Sequence, residues 1–178
     1  MTKDSGNSPD DLITVASPLD DLDARLIAAL AASPRAGVLE LARQLAVARG
    51  TVQARMEKLS SRGVITGFGP DLDLAALGYD VTGFTTLEIA QGRLNDVVEH
   101  LRDIPEVLEV HATTGPGDLH CRVVARTNSH LQQVLNRVLE VQGINRITTV
   151  IALSTQIPYR VLPLVGLRAA TPFPTSYA

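Results

Sequence analysis

The sequence predicts an α+β chain in two domains: an N-terminal helix-turn-helix domain over residues 19–63 and a C-terminal ferredoxin-like βαββαβ domain over residues 81–155. Three observations carry this. Apolar residues recur at helical spacing in three short runs before Arg62. From Val81 onward the period alternates between two and 3.6 in the order strand, helix, strand, strand, helix, strand. Between the two patterns lies a stretch with neither, residues 64–80. A chain of 178 residues is long enough for two small domains, each with its own core.

Taken in order, residues 1–18 are rich in Ser, Asp, Gly and Pro and poor in apolar groups, the composition of a mobile tail. A helix is expected from about Asp20, because Leu22, Leu26, Ile27 and Leu30 keep helical spacing. Three aspartates crowd its first turn, where the helix dipole favours negative charge. Ser33, Pro34, Arg35 and Gly37 break the chain. Val38, Leu41, Ala42 and Leu45 then form the apolar stripe of a second helix, and Val52, Met56 and Leu59 that of a third. Ala46, Val47 and Ala48 join the two, about the length of a helix-turn-helix connection. Ser61, Arg62 and Gly63 end the third helix. Residues 64–69 read as a short strand or an extended arm, opening a hinge that runs to residue 80.

In the second domain Val81, Thr85, Leu87 and Ile89 alternate through a strand. Leu94, Val97, Val98 and Leu101 give the i, i+3, i+4, i+7 signature of a helix, closed by Pro105. Residues 107–112 and 119–125 are two strands separated by the turn-rich segment TTGPGD. Leu131, Val134, Leu135 and Val138 repeat the helical signature, and residues 144–153 form the fourth strand. Right-handed crossovers place both helices on one face of the sheet. The other face, with Phe84 and Thr86 on the first strand, needs a cover, so a homodimer through this domain is expected. Residues 156–178 form a Pro-rich extension with no clear period, which either crosses to a neighbouring subunit or is loose.

Composition narrows the function classes. Charged residues are 20% and hydrophobic ones 45%, a globular balance. The formal net charge of −3 argues against a protein that coats nucleic acid non-specifically, so any such contact must rest on a local basic patch. One cysteine, Cys121, excludes an intrachain disulfide framework and fits a reducing compartment. With no signal-peptide pattern and no apolar run of membrane length, the expected location is the cytoplasm.

The third helix is expected to carry Arg49, Thr51, Gln53, Arg55 and Lys58 on the face opposite its apolar stripe. Guanidiniums, an amide, a hydroxyl and an ammonium suit base edges and phosphates in a major groove. Arg49, Thr51, Gln53 and Arg55 are the candidates for reading bases, and Arg43, Lys58 and Arg62 for binding phosphates. The plainer reading is a solvated helix face. In the loop Thr113, Thr114, Gly115, Pro116, Gly117, Asp118, the glycines let a backbone approach a ligand, their N–H groups suit a carboxylate, and Asp118 suits an ammonium. Those are the needs of a free amino acid; the alternative is a plain hairpin turn. His111, His120 and Cys121 lie nearby, but adjacent strand residues face opposite ways, with Cys121 beside Leu119 and Val123 and His120 beside Arg122. No metal site, bound cofactor or catalytic constellation is expected, and none of the HExxH, CxxC, Walker or GxSxG motifs occurs.

The segments LDDLDARLIAALAASPRA, VQARMEKLSSRGVITGFGPDLDLAALG and TTGPGDLHCRV, in this order and spacing, resemble the Lrp/AsnC, or feast/famine, family of transcription regulators over residues 19–157. The resemblance implies a DNA-binding domain hinged to an amino-acid-sensing domain. It also implies dimers that assemble further, into an octamer for example, with the effector near the dimer-to-dimer contact. Carried over, it places the recognition helix at residues 49–58 and the effector at Gly115 and Asp118, flanked by Thr114 and Pro116. Three departures stand out. Gly117 replaces a usual aromatic residue, implying a wider pocket, and Ala48 and Gly37 stand where helix-capping residues are common. Losing such a cap costs about 1 kcal/mol with Ala and less with Gly.

The function expected is a sequence-specific transcriptional regulator of double-stranded DNA whose assembly or DNA affinity responds to a free amino acid. Two alternatives remain: an amino-acid-binding module acting on a protein partner, and an effector-independent architectural DNA binder.

Overall fold

The computed structural model describes residues 19–166; residues 1–18 and 167–178, which hold the expected tail and the end of the C-terminal extension, lie outside it. The chain divides into two compact units, whose described parts are residues 19–70 with 159–166, and residues 71–158.

In the first unit α1 (Asp21–Ala32), α2 (Val38–Leu45) and α3 (Arg49–Ser61) follow one another through short turns. The aspartates at the start of α1 form a reciprocal cap. Asp20 accepts from the Asp23 N–H at 2.8 Å, and the Asp23 carboxylate accepts from the Asp20 N–H at 3.4 Å, satisfying donors that the first turn leaves open. Neither α2 nor α3 has such a side chain. Gly37 and Ala48 stand at their N-caps with no side-chain hydrogen bond. Ala46 ends α2 in the left-handed region, φ 56°, a conformation that strains any residue with a Cβ. Gly63, at φ 67°, ends α3 without that strain. Leu26, Leu41, Leu45, Val52 and Leu59 meet in the core, with Val38, Met56 and Ile65 packed around them.

The second unit contains β1 (Val81–Ile89), α4 (Leu94–Arg102), β2 (Val107–Ala112), β3 (Leu119–Ala125), α5 (Asn128–Val138) and β4 (Ile144–Ile151). They form one antiparallel sheet in the order β2-β3-β1-β4, as the βαββαβ pattern requires. Register decides the faces. Leu87 lies opposite Leu119, Thr85 opposite Cys121 and Gly83 opposite Val123, and this face is buried together with Val97 and Leu101 of α4 and Leu131, Val134 and Val138 of α5. Thr85 is buried there, and its hydroxyl meets that of Thr149 at 3.0 Å, so no polar group is stranded. Gly83 lets α5 come close: a Cβ there would lie 3.6 Å from Leu131 and 3.3 Å from Thr149.

Among the described residues of this unit, both helices lie on that buried face and none on the opposite one. Phe84 stacks on His120 at 5.9 Å between ring centres, Arg122 reaches Glu109 at 3.4 Å, and Val150 is 62% exposed.

One expectation is resolved and one changes. Of the two readings of residues 64–69, short strand or extended arm, the structure has the arm. Val64 and Ile65 bond back to the Leu59 carbonyl, and the arm pairs with no strand among the described residues, a strand being defined only by its partner. β4 stops at Ile151, two residues short of the expected end. A last short helix, α6 (Leu162–Gly166), belongs to the first unit and lies near α1. Among the described residues no helix is long and apolar enough to cross a membrane.

Candidate functional site

The helix-turn-helix places α3 so that Val52 and Leu59 point into the core and the other side of the helix faces water. At about 100° per residue, the five polar candidates do not share one face. Arg49, Gln53 and Lys58 are exposed, Thr51 and Arg55 are half-buried along the edges of the core stripe, and Arg62 is half-buried at the helix end. Arg43 is exposed on α2. Gln53 is steadied by Glu57, whose carboxylate accepts from its amide at 2.8 Å. With Ala48 as N-cap and no acidic residue in the first turn, the start of α3 keeps free N–H groups and its positive dipole end, features that favour a phosphate.

Arg55, expected among the base-reading side chains, turns back to α1 in this structure, where its guanidinium bonds Asp20 and Asp23, the latter at 2.8 Å. The Asp23 side chain is 1% exposed and that of Arg55 28%. A buried carboxylate is costly unless paired, so the pair ties α3 to the capping turn of α1. Arg55 holds the Asp20 carboxyl below its ordinary range, chiefly through that hydrogen bond. Sequence reasoning assigned the aspartates only to the helix dipole. The signal it missed was Asp23, three residues before Leu26 on the inward side of α1.

At the far end of the sheet the loop of residues 113–118 is clipped onto β1. The Asp118 N–H donates to the Leu87 carbonyl at 2.8 Å and the Thr113 N–H to the Asp118 carbonyl at 3.0 Å. The Asp118 Oδ2 accepts from the Ile89 N–H at 2.6 Å. One carboxylate oxygen is therefore structural, while Oδ1 has no hydrogen-bond donor among the described residues. Thr114, Gly115 and Pro116 are exposed, and Gly115 has φ 104°.

The inference of a wider pocket from Gly117 is overturned. Gly117 adopts φ 111°, and a Cβ on it would lie 2.3 Å from Thr86 Cγ2 and 3.3 Å from the Leu87 carbonyl oxygen. The missing side chain leaves no space; the loop has closed against β1 and only glycine fits.

His111 and His120 stand opposite each other on the open sheet face, and Cys121 lies on the covered one. Burial pushes the Cys121 thiol up to about 11, far from the depressed value of a reactive cysteine. No group of three or more His, Cys, Asp or Glu among the described residues could hold a metal ion.

Comparison with known proteins bears on both halves. Residues 19–60 match the AsnC-type helix-turn-helix domain, and residues 82–162 the Lrp/AsnC ligand binding domain. The regulatory protein AsnC of Escherichia coli K12 is 32% identical over 147 residues, covering 82% of this chain and 97% of that protein. The structure of Escherichia coli AsnC superposes with a TM-score of 0.77 at 30% identity, over 83% of this chain and all of the other. A transcriptional regulator from Neisseria meningitidis, solved as its complex with L-Met, shares the fold at a TM-score of 0.75 and 21% identity, over 82% of this chain and 97% of the other.

Proposed function

Because this chain belongs to the Lrp/AsnC family of transcriptional regulators, DNA-binding proteins and not enzymes, we propose that it reads an operator through the start of α3 and answers to a free amino acid at the loop of residues 113–118. The observation that carries the first half is the exposed, uncapped first turn of α3, with Arg49 and Gln53 on the outside. Arg49, Thr51 and Gln53 approach bases, and Arg43, Lys58 and Arg62 bind phosphates. Arg55 acts behind them by fixing α3 on α1.

In the sensing domain the amino acid's carboxylate meets the backbone N–H groups around Gly115 and its ammonium meets Asp118 Oδ1. The other oxygen of Asp118 keeps the loop on β1. The side chain of the ligand lies outside Gly117, whose neighbourhood is filled. The open sheet face around Phe84 and Val150 is the surface for a second copy, and the dimers join into a larger assembly of octamer size. Two subunits then present two α3 helices to two half-sites. The effector acts because it binds one assembly more tightly than another; equal affinity would shift nothing. The protein works in the cytoplasm.

The test is light scattering with and without each amino acid, beside a gel shift on the DNA upstream of the protein's own gene. A change of both assembly size and shift with one or a few amino acids is the expected result. DNA binding that no amino acid alters overturns the sensing half, and no binding at low salt overturns the first.

A further inference from the structure

We infer that the cleft lined by Tyr79, Glu106, Arg126, Thr127 and His130 is a second ligand site, built for a small organic anion that carries no ammonium group. Its volume is about 410 Å³, within the range of small-molecule sites. It lies at the opposite end of β3 from the loop of residues 113–118. The cleft gathers the segment before β1, the start of β2 and the turn from β3 into α5, whereas the loop precedes Leu119. Six strand steps separate them, about 20 Å.

The charges of the cleft define its ligand. Glu106 is largely buried, with a side chain 12% exposed, and Arg137 reaches its Oε2 at 2.7 Å. Burial works against its ionisation, but the hydrogen bond and charge of Arg137 outweigh this and hold the carboxyl below its ordinary range. Its negative charge is thus already matched, and the floor has none to offer an ammonium.

His130 is equally committed. Its Nδ1 accepts the Arg126 N–H at 3.1 Å, which leaves the proton on Nε2, facing Glu106 Oε1 at 3.4 Å.

Arg126 is different. Its guanidinium is exposed, lies 5.6 Å from the centre of the Tyr79 ring and has no carboxylate partner among the described residues. The cation–π contact with the phenol holds the guanidinium at the cleft, where its N–H donors suit a carboxylate. The Thr127 hydroxyl accepts from the His130 N–H at 3.1 Å and keeps its own hydrogen for a second anionic oxygen. The site therefore complements the loop of residues 113–118: one suits a zwitterion, the other an acid without the amine.

The test is titration calorimetry on the full chain without DNA, using glutarate and L-glutamate, which differ by one ammonium group, and inorganic phosphate. At about 10 mM ligand, well above a Kd of about 1 mM, glutarate is expected to bind and glutamate, tested on Asp118→Asn, to bind more weakly. Arg126→Ala should weaken glutarate by about tenfold or more, as loss of a charged hydrogen-bonding partner does, with an unchanged thermal midpoint because the side chain is exposed. Asp118→Asn should leave glutarate binding as it is.

The inference is overturned if glutarate does not bind, if Arg126→Ala binds it unchanged, or if glutamate binds as tightly to Asp118→Asn, whose loop lacks the proposed ammonium partner. It is overturned equally if phosphate matches glutarate, which would make the site one of charge alone. Loss of glutarate binding in Asp118→Asn would place the ligand at the other loop, sinking this inference while leaving the regulator reading intact.

Discussion

Replacing Arg55 with alanine separates two roles that look alike in sequence. Its guanidinium lies 2.8 Å from Asp23 Oδ1, and the Asp23 side chain is 1% exposed. Removing one partner of a buried pair costs about 3–5 kcal/mol, because the other charge is left without compensation. Arg55 is itself 28% exposed, so water relieves part of this, and about 2–3 kcal/mol is a fair expectation after that discount. A domain of the size of residues 19–63 has only some 2–7 kcal/mol in total. The substitution should therefore unfold a measurable fraction of the N-terminal domain. Urea unfolding followed by hydrogen exchange of the α1 to α3 amides reads that unit separately from the sheet domain. Asp23→Ala should cost less than Arg55→Ala, since it leaves a partly exposed cation rather than a buried anion, and the double variant should be less unstable than the two losses summed. If Arg55→Ala leaves the exchange of α1 to α3 unchanged and lowers only operator affinity, the bracing argument is wrong and Arg55 is a DNA contact.

Three further outcomes are expected. Gly117→Ala should lower the thermal midpoint by the equivalent of about 1–3 kcal/mol, since it combines a positive φ with a Cβ overlapping a β-branched side chain; an unchanged midpoint would mean that the loop stands off β1. Asp20 contributes stability that depends on pH. Its carboxyl is held below 3.8 in the folded chain, so as pH falls the unfolded chain takes up the proton first. The contribution is present above pH 3.8 and lost below it, and acid titration of Arg55→Ala should show a weaker decline than wild type over that window. Asp118→Asn keeps an oxygen for the Ile89 N–H and removes the charge. It should fold and bind DNA normally while losing the amino-acid response in light scattering, and a retained response would remove Asp118 from the effector site.

Periodicity alone located every element of the sheet domain. The chain bounds of β1 follow from alternation, because one buried face imposes a period of two that loops do not share, and those of β2 and β3 from Pro105 and the turn-rich segment TTGPGD between them. The strand order β2-β3-β1-β4 follows from the element order and the right-handed crossover. The cores of α2 and α3 were legible for the same reason, and the missing caps at Gly37 and Ala48 from departures from the family pattern. Individual roles on α3 were not. A helical wheel separates core from surface but does not say that an arginine at the border, Arg55, has a buried aspartate within reach.

Sequence by itself determined which residues are apolar, at what period, and where glycine and proline interrupt them, and local geometry converts such patterns directly into elements. Only the tertiary structure decided what meets across long chain separations. It brought Arg55 to Asp23, turned one oxygen of Asp118 to Ile89, pressed Gly117 against Thr86, and set Arg126 over Tyr79 beside a neutralised Glu106. Each is a pairing of specific side chains or backbone atoms. Its energy depends on distance and burial, and neither is encoded in spacing along the chain.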